Sequence, residues 1–353
     1  DYHARVKFLF GDSINFWSNH LKTDLDFLYD AFESTSKAGD VTFAGYCCNH
    51  IVVDLLILGK GLDEVYQESI KYLTYLKSIQ FEAPKEVIKG IQRLVQNLRG
   101  ETDGFSTFDD TEFNEKEYES YIDSYDHPIV TCWYYIMLLQ ARFMSGDYEE
   151  ALRAGEKAKN YLWSSLGHIQ EPEYWYYFAL ALASSLEDDR IDEELRESRM
   201  KVLDEHRQKL EEWSRSCPAN FLNKYSLVCA ELARLKGSIE EAEREYESAI
   251  KSARENGYIQ NEAIANELAY RFYLARGLDS VASLHLKEAH RLYRRWQARG
   301  KVEQLEREQP LLRQTSSSSP EYDFLTVLKA AEAISKEVTL DRLLNTLIRV
   351  IIE

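Results

Sequence analysis

With only 6 prolines and 15 glycines in 353 residues, the chain has little of what interrupts regular structure. A sheet-rich fold would want more turn residues, so long helices with few breaks are expected instead. The longest apolar stretches, such as 51–58 and 134–139, are far too short to cross a bilayer. Nothing in the first residues has the pattern of a signal peptide, and there is no Asn-x-Ser/Thr glycosylation site. Cysteine is sparse and odd in number. Cys47, Cys48, Cys132, Cys217 and Cys229 fall mostly on apolar helical faces, as suits reduced thiols used as small hydrophobes. The expected location is therefore cytoplasmic. Positive charge is in deficit, giving a net charge of −17, and such a surface repels nucleic-acid phosphates and anionic membranes. Nucleic acid is excluded as the main partner on this ground.

The signatures of common chemistries are also missing. There is no Walker-type phosphate loop, no dinucleotide-binding glycine motif, no His-Glu-x-x-His and no Gly-x-Ser-x-Gly. Gly59-Lys60-Gly61 lacks the upstream glycine of a phosphate loop and falls at a hairpin turn. The eight histidines are scattered, and His285 and His290, five apart, turn to different sides of a helix. Cys47-Cys48-Asn49-His50 is the one local cluster of metal-capable residues, but no second ligand pair accompanies it, so it reads as core thiols beside a satisfied histidine. No metal, cofactor or catalytic residue is assigned. The loop pairs Asp109/Asp110 and Asp188/Asp189 are better accounted for as solvated charge.

What the sequence does contain is a repeat. Gly237-Ser-Ile-Glu-Glu-Ala242 is followed by Tyr246 and Ala249, and Gly277-Leu-Asp-Ser-Val-Ala282 by Leu286 and Ala289, the two copies 40 residues apart. Gly146-Asp-Tyr-Glu-Glu-Ala151 begins a third copy. Ala158, Ala249 and Ala289 each lie 12 residues past their glycine. Small residues at these intervals let two antiparallel helices approach closely at a hairpin. At 353 residues the chain exceeds one ordinary core, and a stacked array of hairpins resolves that excess.

The expected fold is thus all-α, a superhelix (solenoid) of antiparallel helical hairpins, with turns near Lys60, Gly146, Asp188, Gly237 and Gly277. Gly167, Gly257 and Gly300 are expected to end the second helices of their pairs through left-handed caps. Residues 100–121 are acidic without sustained helical period and read as a loop packed only by itself or disordered. The second helix of the pair at 173–213 carries one stripe: Leu195, Val202, Leu203, His206, Leu210 and Trp213. Cys217-Pro-Ala-Asn220 stops it. Three segments follow: repeats over 1–310, a serine-rich linker over 311–320, and a fresh amphipathic helix from 321 to 353 that begins another domain. Both ends have the look of cuts through a longer polypeptide.

Aromatics are the anomaly, with 23 Tyr and 6 Trp. In 173–178, EYWYYF, and 133–135, WYY, adjacent rings fan round a helix by about 100° each, so they cannot all face one core. Tyr134, Trp175 and Tyr176 are on this argument candidates to line a peptide- or protein-binding groove.

The glycine-turn hairpins resemble tetratricopeptide (TPR) repeats, although the helix-ending proline is missing and the period is about 40 rather than 34. No peptide-clamp residues carry over. A wider resemblance rests on 48–65 (CNHIVVDLLILGKGLDEV), 171–182 (EPEYWYYFALAL) and 323–344 (DFLTVLKAAEAISKEVTLDRLL). These are similar to the middle of large multi-domain signalling kinases, in which a serine/threonine-kinase-like domain and a STAND-type ATPase precede helical repeats, and a GAF domain and histidine kinase follow. The resemblance implies a non-catalytic scaffold in a two-component signal-transduction protein, contacting the flanking ATPase and GAF domains, with residues 321–353 the helix leading into the GAF domain. The apolar stripe of 322–353 is expected to support a homodimer. A helical-repeat receptor for a peptide or small signal is the first alternative. An all-helical metal-dependent enzyme using Asp109 and Asp110 is the second.

Overall fold

The computed structural model describes residues 2–187 and 190–315, and among these there is no strand. The helices come in antiparallel pairs: α1 (Tyr2–Ser13) with α2 (Asp24–Lys37), and α3 (Val41–Ile57) with α4 (Leu62–Ser78). Next come α5 (Glu82–Leu98), a loop, and α6 (Glu115–Ser124). Further pairs are α7 (Pro128–Ser145) with α8 (Tyr148–Lys159), α9 (Gln170–Ser185) with α10 (Glu193–Ser216), α11 (Pro218–Leu235) with α12 (Ile239–Glu255), and α13 (Ile259–Ala275) with α14 (Asp279–Trp296). α15 (Arg299–Glu308) and the short α16 (Leu311–Thr315) follow. The body described below ends at Gln304. Of the expected linker over 311–320, residues 311–315 are the helix α16 and 316–320 lie outside the described residues, as do the segment 321–353 and the turn residue Asp188.

Local chemistry sets the boundaries. Asp40, Asn114 and Asp192 accept hydrogen bonds from the backbone N–H three residues on, capping α3, α6 and α10. Pro128 and Pro218 open α7 and α11, where a missing N–H is harmless. The three signature glycines, Gly146, Gly237 and Gly277, end the first helices of their pairs at φ of 87°, 72° and 71°, a region closed to most side chains. Their partner alanines 151, 158, 242, 249, 282 and 289 are all buried, so the sequence interval marks real helix–helix approach.

Gly300 departs from expectation. Gln297, at φ 69°, ends α14 instead, and Gly300 lies inside α15. A Cβ on Gly300 would stand 3.0 Å from Asn97 O, Gly100 N and the Phe105 ring, so glycine is required by close approach, not by a cap.

First helices of successive pairs also touch, α3 to α5, α5 to α7, α7 to α9, α9 to α11 and α11 to α13, and make a continuous inner layer. The two ends of this array meet. The Gln260 amide donates to Ile57 O at 2.5 Å, Asp63 N donates to Gln297 Oε1 at 2.9 Å, and Arg299 pairs with Asp63 at 2.8 Å. Asn220 clips the N-terminal segment in place. Its amide nitrogen donates to Phe16 O (2.7 Å) and Asn19 O (2.8 Å), while its oxygen accepts from Leu21 N (2.9 Å) and the Tyr258 hydroxyl (2.7 Å).

Candidate functional site

The aromatics singled out in the sequence sit in the inner layer. Tyr134 is 2% exposed and Tyr176 0%, while Trp175 is half-buried. Tyr134 is covered by Phe108, edge-on at 6.0 Å between ring centroids, and by Tyr118 of α6 at 5.1 Å. Tyr176 lies under the ammonium of Lys224, 4.7 Å from its ring centroid, and Lys224 pairs with Glu173 at 2.7 Å. Trp175 packs on His206 (4.3 Å) and Trp213 (6.5 Å). Tyr134 and Tyr176 thus offer no surface to a partner. The step from adjacent rings to a groove fails for all of the α9 run but Trp175, because α9 is contacted by α7, α8, α10 and α11 together. A helix apolar all round belongs inside such an enclosure. Where α3, α5, α7, α9, α13 and α14 converge they leave a cavity of about 20 Å3, lined by Gln140, Glu173, Tyr177, Gln260 and Trp296 among others, which has room for little more than a water.

The acidic insertion is ordered, which corrects the expectation of a loop packed only by itself. Phe108 is fully buried, and the Asn97 amide donates to the carbonyls of Gly104, Phe105 and Thr107 at 3.0–3.3 Å. Residues 115–124 form α6, a helix the weak apolar period concealed. Asp109 Oδ1 accepts from Glu115 N at 2.6 Å, and Asp110 Oδ1 accepts from Glu112 N and Phe113 N at 2.7 and 2.8 Å. The other Asp110 oxygen pairs with Arg93. Both carboxylates are therefore engaged in shaping the loop, which leaves the metal-dependent enzyme reading without its dyad.

Chemistry-bearing side chains gather at a place the sequence did not reveal. Asp12 from α1, His50 from α3 and His168 from the turn before α9 bring their ligand atoms within 4.8 Å of one another. Asp12 Oδ1 is 2.6 Å from His50 Nδ1 and 3.3 Å from His168 Nδ1, and the Ser13 hydroxyl donates to Asp12 Oδ2 at 2.8 Å. Burial alone would raise the Asp12 pKa, but the charges and hydrogen bonds of His50 and His168 hold it well below the ordinary carboxylate range. Burial acts to lower His168, and the Asp12 hydrogen bond outweighs it, so its pKa is raised. The Trp133 ring meets both imidazoles edge-on, at 5.4 and 5.6 Å. Positions 12, 50 and 168 have no spacing that a sequence scan could use. The neighbouring thiols behave as core residues: burial pushes Cys47 and Cys48 up, and Cys48 donates to Ala44 O.

The family model for CHK1-like TPR repeats matches residues 66–310. The chain belongs to this family. It is also similar to hybrid signal transduction histidine kinase G of Dictyostelium discoideum, at 28% identity over 95 residues. That match covers 27% of this chain and 3% of the relative, so the chain spans a small fraction of that protein's length. Among the described residues, no helix is long and apolar enough to cross a membrane.

Proposed function

We propose that this chain is a non-catalytic regulatory scaffold within a multi-domain, cytoplasmic signalling kinase, joining an upstream ATPase module to a downstream GAF and histidine-kinase module through protein–protein contacts. The match of the repeat family over 66–310 is the observation that carries the reading, and the likeness to a hybrid histidine kinase gives it its setting. A closed inner layer favours contacts through the outside of the hairpins over a threaded peptide. Ile239, Leu274, Leu278, Val281 and Leu284, all about two-fifths to half exposed on the last hairpins, are apolar side chains of the kind such a contact uses. The peptide-receptor alternative keeps only Trp175 of its three aromatics as an approachable residue.

The experiment is a binding assay between this chain and the segments of its own polypeptide that flank it, beside an ATP-hydrolysis assay of the chain alone. Saturable binding, weakened by Leu274→Glu with Leu284→Glu, and no hydrolysis are expected. Turnover abolished by Asp109→Ala would replace the scaffold with an enzyme.

The apolar stripe of Phe324, Leu325, Leu328, Ala331, Ile334, Leu340, Leu343, Leu344, Leu347 and Ile351 supports self-association through 322–353, a segment outside the described residues. Light scattering should show a dimer that deletion of 322–353 converts to a monomer. A monomeric full chain, or a dimeric deletion, removes this part of the proposal.

A further inference from the structure

We infer that Asp12, His50 and His168 form a binding site for a divalent transition metal of the zinc class, which cross-links α1, α3 and the turn leading into α9. Imidazole nitrogen and carboxylate oxygen are zinc's ordinary ligands besides thiolate, at about 2.0–2.2 Å. A tetrahedral ion with bonds of that length has ligand atoms about 3.3 Å apart along each edge. Here Asp12 Oδ1 lies 2.6 and 3.3 Å from the two Nδ1 atoms, and each of the three residues offers a ligand atom within 4.8 Å of the others. The Asp12–His50 separation has to open by about 0.7 Å to reach such an edge, and water takes the fourth corner.

The surroundings fit a cation. The Ser13 hydroxyl orients the second Asp12 oxygen, as outer partners of metal ligands do. The Glu171 carboxylate, nearly buried, is close enough to act electrostatically on His168 and adds negative charge beside it. His50 and Asp12 are sealed at 7% and 4% side-chain exposure, while His168 at 20% leaves a way in from solvent. Trp133 edges against both rings and limits the room for additional ligands, which favours four-coordinate zinc over the larger oxygen cages of calcium. Three segments remote in sequence converge on one point, so an ion there would fasten the N-terminal helix to the inner layer.

The full chain, stripped with a chelator, is titrated with zinc by calorimetry and with cobalt(II) by visible absorption. One equivalent of zinc is expected, with cobalt bands of a nitrogen/oxygen site and no sulfur-to-metal charge transfer, and a rise in Tm on zinc addition. His168→Gln, at the most accessible ligand, should weaken binding at least tenfold while the helical circular dichroism is kept; Asp12→Asn with His168→Gln should abolish it. Absence of zinc binding at micromolar concentrations would reduce the trio to a hydrogen-bonded cluster and overturn the inference. Binding that persists in both variants, or a thiolate charge-transfer band, would place the ion elsewhere and overturn it equally.

Discussion

Of the 16 residues of α9, all but Trp175 are buried, whereas α10, its partner in the same hairpin, buries only Leu203, His206, Leu210, Trp213 and Ser214 out of 24. The two helices meet different surroundings. α10 touches α9 and α11 and turns its other faces to water, so a single apolar stripe suffices. α9 is contacted from four sides and must satisfy each of them, including with charged groups: Glu173 is 4% exposed, and its partner Lys224 on α11 is 1% exposed. Position in the layer, more than membership of a hairpin, sets what a helix must contain.

The largest break in this contrast should come from the buried pair. Lys224→Met leaves Glu173 uncompensated inside the inner layer and should cost about 3–5 kcal/mol in urea unfolding, while the double variant with Glu173→Leu should recover most of that loss. A cost below 1 kcal/mol for the single change would mean that water reaches α9.

His206, on the inward stripe of α10, sharpens the comparison through pH. Burial lowers its pKa to about 4, with its Nδ1 2.9 Å from Trp175 O. Below its ordinary value of 6.5, the unfolded chain takes up a proton that the folded one refuses. Its stabilisation is therefore complete above pH 6.5 and falls as pH drops toward 4, by roughly 3 kcal/mol in all. Thermal unfolding followed from pH 7 to 4 should show this decline, and His206→Gln should flatten its share of it.

Ala242 on α12 faces inward at 0% exposure. Ala242→Trp should cost about 1–3 kcal/mol by overpacking, read as a shift in the urea midpoint. The smallest effect belongs to the partly exposed margin of α10, where Arg207 bonds Asp204 and Glu211 among half-exposed neighbours. Arg207→Ala should change stability by less than about 1 kcal/mol.

The outer layer was the legible part of the sequence. The glycine-to-alanine intervals located three hairpins, and the stripe Leu203, His206, Leu210 and Trp213 gave the inward face of α10 correctly, although Leu195 proved 40% exposed. The inner layer was harder because its pattern has no period: a run such as Tyr174 to Phe178 states that every direction is apolar without saying what lies there. Hence Tyr134 and Tyr176 were read as groove residues when Phe108 and Tyr118 cover the first and Lys224 of α11 the second, neighbours that only the fold supplies. The insertion misled for another reason. Asn97, Asp109 and Asp110 order it by side-chain hydrogen bonds to backbone, which composition cannot display. Asp12, His50 and His168 were invisible for the plainest reason, since only the fold brings them together.

The account rests on closure: the α3–α4 hairpin meets the last hairpin, and that contact shuts the inner layer that Glu173 and Tyr177 of α9 face. Spin labels carried by non-natural residues at positions 60 and 295, near the Asp63–Arg299 pair but replacing neither member, test it by electron–electron dipolar spectroscopy on the full chain. Closure predicts one narrow distribution at the short end of the measurable range; a broad or long-distance distribution would show an open array with a free inner surface and contradict the account.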